Sequence, residues 1–182
     1  MDLVKMLLNN MTSESSLDAL KGRSGGSTDS IENAVKSAIP TLVGSMTKNA
    51  SSEDGAKSLL GALSQHTDTS PVSSQIKNAD EIDGSKILGK ILGGDKDDFI
   101  REISKSSGLE LGQTKSVLSS IAPAVLSSLS AATSSSDKKE KEIDTSSIGG
   151  FFKSLLDDDD KKAVDSGFDA GSLVDILKKT IL

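Results

Sequence analysis

Cysteine, tryptophan and tyrosine are missing from all 182 residues, and four phenylalanines make up the whole aromatic content of 2%. Without cysteine there can be neither a disulfide framework nor a thiolate zinc site. With so few rings, Leu, Ile, Val, Ala and Met must supply nearly all burial, a composition suited to helices packed closely through small residues. Few runs show the alternating β-branched and aromatic pattern of a strand. A sandwich or barrel is therefore excluded, and the fold class expected is all-α. Prolines number three, and His66 is the single histidine.

Clustered positive charge is also lacking. The net charge is −6, and the densest basic group, Lys138-Lys-Glu-Lys141, is interrupted by acid. Counterion release needs clustered Lys and Arg, so no nucleic-acid partner is expected. The start, Met1 to Leu8, carries an acid at position 2 and too short an apolar run for a signal peptide. No stretch is read as approaching the roughly 20 apolar residues of a membrane span. A soluble, cytoplasmic protein is the expectation.

What is present is helical periodicity. Ile31, Ala34, Val35, Ala38, Leu42, Val43 and Met46 recur at the three-and-four spacing of one helix face, as do Val117, Leu118, Ile121, Val125, Leu126 and Leu129. Each stripe carries a proline, Pro40 and Pro123, at the same phase. An interior proline removes a hydrogen bond to the carbonyl four residues back, those of Lys36 and Ser119, at a cost of about 3 kcal/mol. Because the stripe keeps its phase through both prolines, a kinked helix is expected rather than two helices.

Around these stretches the sequence predicts further short helices. One carries Leu3, Val4, Leu7 and Leu8. The next is capped within Thr12-Ser-Glu14, carries Leu17 and Leu20, and is ended by the glycines of 22–27. Asp29 and Glu32 read as a capping box for the first proline helix. Asn49 to Asp54 closes that helix and caps another, with Ala56, Leu59, Leu60 and Leu63 as its stripe. From 64 to 84 the chain is polar, broken by Pro71, with Val72, Ile76 and Ile82 as sparse anchors. A helix is expected to begin at Asp83-Gly-Ser85 and to end at Gly93-Gly94. Asp95 to Asp98 suits the dipole of the helix that carries Phe99, Ile100 and Ile103 and stops at Gly108.

Setting Pro40 on Pro123, an offset of 83, places Leu17, Leu20 and Gly25 on Ile100, Ile103 and Gly108, and aligns the two proline stripes throughout. The expectation is a body of two pseudo-symmetric repeats, each half shielding the face its partner cannot bury alone. The organisation that follows is a first helical repeat at 1–66, a connector at 67–82, a second repeat at 83–133, a polar linker at 134–147, and C-terminal amphipathic helices at 148–182.

Three constellations invite chemistry. His66 would need carboxylates gathered from elsewhere to hold a metal, and no serine stands in a Gly-x-Ser-x-Gly context beside which it might act. Its plainer role is to end a helix with its charge toward the C-terminal dipole. Asp157 to Asp160 reads as a solvated charge run. Beyond it Asp165, Gly167 and Asp169 depart from a calcium loop, which wants a carboxylate where Gly167 stands, a glycine at Ala170 and a glutamate at Ile176. Gly89, Gly93 and Gly94 lack the Gly-Lys-Thr/Ser ending and preceding strand of a phosphate loop, and the acids at 95, 97 and 98 would repel phosphate. Close approach of two helices explains such glycines better.

Asp83-Gly-Ser-Lys-Ile-Leu-Gly-Lys-Ile-Leu-Gly-Gly94, Ile103 to Leu109 and Ile121-Ala-Pro-Ala-Val-Leu126 resemble the bacterial YidB-like helical family, a domain of unknown function. In the first half Ala38 to Gly44, Lys48 to Ser51 and Leu59 to Asp68 fit as well. The resemblance covers roughly residues 1–130. It implies an all-helical, duplicated fold and no established activity, so no catalytic residue is carried over. Relatives often read His-Asp-Gly-Ser where this chain has His66-Thr-Asp-Thr-Ser70.

The functional expectation is a non-catalytic interaction or assembly module that self-associates or binds another protein. No enzyme activity, cofactor, metal or small-molecule ligand is expected. The alternatives are a metal-dependent or hydrolytic enzyme built on His66 with nearby acids, and a peripheral membrane protein attached through its C-terminal helix, where Lys178 and Lys179 lie among flanking acids.

Overall fold

A computed structural model describes residues 3–136 and, in isolation, Gly150. Among these residues there are eight α-helices and no strand: α1 Leu3–Met11, α2 Glu14–Ser24, α3 Thr28–Ala50, α4 Glu53–Gln65, α5 Val72–Lys77, α6 Glu81–Leu92, α7 Lys96–Ser107 and α8 Leu111–Ser136. A single 3₁₀ turn, Gly93–Asp95, joins α6 to α7. The polar linker from 137 and the C-terminal segments, including Asp157 to Asp160 and Lys178, lie outside the described residues.

The two proline stripes form the centre. Each of α3 and α8 runs as one continuous helix through its proline. Their buried sets exceed the single faces read from the sequence: Ile39 and Ala122, off those stripes, are also wholly buried. Helices apolar on most sides are helices enclosed on most sides. α3 packs against α1, α2, α4, α6, α7 and α8, and α8 is similarly surrounded. The 23 residues Leu111–Thr133 are therefore long and apolar enough to cross a membrane, contrary to the expectation that no stretch comes near. With 72% of their most apolar window buried in the body, they serve here as a core helix.

Several boundaries differ from the sequence reading because a serine or aspartate just upstream takes the cap. Ser27, not Asp29, caps α3, its Oγ accepting from the Ser30 N–H at 3.2 Å. Asp80 caps α6, accepting from the Ile82 and Asp83 N–H groups at 2.8 and 3.3 Å, so the helix starts at Glu81 rather than Asp83. That shift turns Ile82 outward, 70% exposed, and it is no anchor. Ser13 stands at the α2 N-cap position, but its hydroxyl donates backwards to the Asn10 carbonyl instead of capping. The connector is not a loop throughout: α5 packs on α2 and α8 and buries Ile76 completely. Replacing Ser27 by alanine is expected to cost about 1 kcal/mol in urea unfolding, and Asp29→Ala only a few tenths.

Candidate functional site

Helices α4 and α6 are amphipathic, and their facing sides leave a cleft of about 200 Å³ between them. α4 contributes Ser58, Leu59, Ala62, Gln65 and its cap residue His66; α6 contributes Asp83, Lys86, Ile87, Lys90 and Ile91. These are three-and-four spacings, so each helix turns one continuous strip toward the cleft. Leu126 of α8 closes the floor.

The polar groups of the cleft are few and each has a clear cause. His66 terminates α4, its backbone N–H donating to the carbonyls of Ala62 and Leu63 at 3.2 Å each. Its side chain, only 17% exposed, brings Nε2 to 3.7 Å from Asp83 Oδ2 across the cleft. Asn49, at the end of α3, donates to the Ile91 carbonyl at 2.9 Å, one of the last-turn acceptors that α6 cannot satisfy itself. Lys86 and Lys90, one turn apart and exposed, pair with no carboxylate among the described residues.

The expected position of His66 at a helix end is borne out. What the sequence could not indicate is its partner: Asp83 lies 17 residues on, and only the course of the connector brings it there. The pair remains a pair. Among the described residues no three metal-ligating side chains gather, and no serine or threonine hydroxyl hydrogen-bonds the imidazole. The arrangement can tie α4 to α6. With Asp83 47% exposed, that tie is expected to contribute at most about 1 kcal/mol, so Asp83→Asn should move the urea midpoint only slightly. Near the cleft, Asp68 accepts the Ser70 N–H at 2.9 Å, and this hydrogen bond holds its carboxyl below the usual range.

Gly89, read from sequence as a point of close helix approach, has open space where a Cβ would stand. The close approach is at Gly84, where a Cβ would strike the Ser119 carbonyl of α8. Gly93 serves the turn, with φ of 59°.

Fold and cleft together define an all-helical body with a surface cleft between α4 and α6 and, among its described residues, no group of three metal-ligating side chains. A family model described as bacterial protein of unknown function (DUF937) matches residues 6–132, and the chain belongs to that family. The YidB-like resemblance is consistent with this membership. No significant match occurs among curated proteins or among solved structures.

Proposed function

We propose that the protein is a non-catalytic interaction module, a duplicated helical body that receives a second copy of itself in the α4–α6 cleft. The observation that carries this reading is the pair of exposed lysines, Lys86 and Lys90, which have no carboxylate partner among the described residues and stand over an apolar floor of Leu59, Ile87, Ile91 and Leu126. With 27 Asp and Glu against 21 Lys and Arg, another copy has acidic side chains to offer these two cations. Such charges set orientation and approach, while the apolar floor supplies the burial.

The duplication is supported by repetition of local detail at the offset of 83. Ser24 Oγ donates to the Leu20 carbonyl and accepts from the Gly26 N–H; Ser107 Oγ does the same with Ile103 and Leu109. Gly25 and Gly108 are left-handed caps with φ of 72° and 76°. The packing is reciprocal as well, α2 lying on α8 and α7 on α3. A methyl built on Gly26 would come within 2.5 Å of Leu109 Cδ2. These two residues map onto each other under the offset, and only positions beside a twofold axis touch their own counterparts. An experimental structure in which 14–50 and 97–133 fail to superpose would refute the duplication.

The association itself is tested by light scattering of the full chain over a hundredfold range of concentration. The mass is expected to rise above 18.8 kDa, and Lys86→Glu combined with Lys90→Glu should hold it there with an unchanged melting curve. A monomer at every concentration rejects the proposal. Cytoplasmic location belongs to the same reading.

A further inference from the structure

Helix α6, which forms one side of the cleft, is charged in opposite senses at its two ends. Asp80, Glu81 and Asp83 occupy its cap and first turn, and Lys86 and Lys90 follow on its later turns. Asp83, Lys86 and Lys90 all line the cleft, so their spacing of three and four residues makes them one strip. Along the edge of that strip stands Ile82, one of two large apolar side chains left exposed among the described residues. Gly89, two turns further along the same edge, has open space where a Cβ would be. A helix acidic at its start and basic at its end is complementary to itself reversed.

We propose, building on the self-association reading above, that the second copy meets this strip with its own α6, antiparallel across a twofold axis between Asp83 and Lys86. Those two residues lie about 4.5 Å apart along the helix, so the axis sets Asp83 of each copy against Lys86 of the other. Lys90 then falls within one residue of Asp80 of the other copy, and Ile82 within two residues of Gly89 of the other. The missing Cβ leaves that place free for the isoleucine. Both acids have an oxygen for this second role. Asp83 is 47% exposed and turns Oδ2 to His66, and Asp80 caps α6 through Oδ1. Glu81 differs, since Arg23 and Ser116 already share its Oε1. Because both copies use one and the same patch, the contact closes at two chains.

Sedimentation equilibrium of the full chain is expected to show a mass that climbs to twice 18.8 kDa and stops there. Asp83→Lys and Lys86→Glu, each alone, set like charges opposite one another on both sides of the axis and should weaken association about tenfold. An equimolar mixture of these two variants should regain the affinity of the unaltered chain, since each lysine at 83 and 86 then faces a carboxylate again. Ile82→Ser should weaken association several-fold. All three variants should melt within a few degrees of the unaltered chain at a concentration where it is monomeric, because Ile82 and Lys86 are exposed and Asp83 is half-exposed. Growth of the mass beyond two chains, or an Asp83→Lys variant that associates as the unaltered chain does, overturns the antiparallel pairing and leaves self-association standing. Failure of the mixture to recover overturns it as well. A monomer at every concentration overturns both.

Discussion

Gly84→Ala is expected to cost about 3 kcal/mol, and Gly84→Val to prevent folding at ordinary temperature. The reason lies in two residues far apart in sequence. Pro123 has no N–H to offer the carbonyl of Ser119, four residues earlier in α8. It is against this carbonyl that the Cα of Gly84 sits, so closely that an added Cβ would collide with it. Backbone, not a flexible side chain, would have to move, and α6 packs on α8 more extensively than on any other helix. A shift there is felt along the whole contact. The measurement is thermal unfolding, with a fall of roughly 6–12 °C for the alanine variant. Gly89→Ala in the same helix is the control: its Cβ would meet nothing, so the gain in helix propensity should leave it neutral or stabilised by up to about 1 kcal/mol. If the two substitutions cost the same, steric exclusion at Gly84 is the wrong explanation.

That contrast marks what was legible in the sequence. Apolar periodicity reports which side of a helix is covered, and it located α3, α4, α7 and α8 with their buried residues. It says nothing of how near the neighbouring backbone comes, so Gly89, set among apolar residues, looked like the contact point and Gly84 did not. Glycine stops were read correctly at Gly25 and Gly108 because a left-handed residue after a helix has a local cause. Caps were read a few residues late at Ser27 and Asp80, since several serines and acids compete within one turn and the direction of the incoming chain decides among them. His66 was recognised as a helix end. Its pairing with Asp83, and the strip of α6 that faces it, depend on how the connector folds, and the polar stretch 64–84 carried no periodic signal for α5.

The connector is fixed by a residue that no motif singles out, and Arg23→Ala is accordingly expected to cost about 3 kcal/mol. Arg23, near the end of α2, is 23% exposed and uses its whole guanidinium. Nε donates to Ser120 Oγ of α8 at 2.9 Å, Nη1 to the Lys77 carbonyl at 2.8 Å, and Nη2 to the Ala79 carbonyl at 2.8 Å and to Glu81 Oε1 at 3.2 Å. Ser116 donates to the same Glu81 oxygen at 2.7 Å. One planar group thus joins α2, the end of α5, the start of α6 and the middle of α8. Removing it leaves the Ser120 hydroxyl in a residue with no exposed surface, and two carbonyls at a helix end, without their donor. Lysine presents a compact ammonium in place of the fork, so Arg23→Lys should recover less than half of the loss. Glu81→Gln keeps an acceptor for both donors and should cost under about 1 kcal/mol, as befits a carboxylate 46% exposed. Urea unfolding gives the energies, and hydrogen exchange locates them: amides of 72–82 should open first in Arg23→Ala, ahead of those in α3. Full rescue by lysine would mean that charge alone, and not the directed hydrogen bonds, holds the connector to the body.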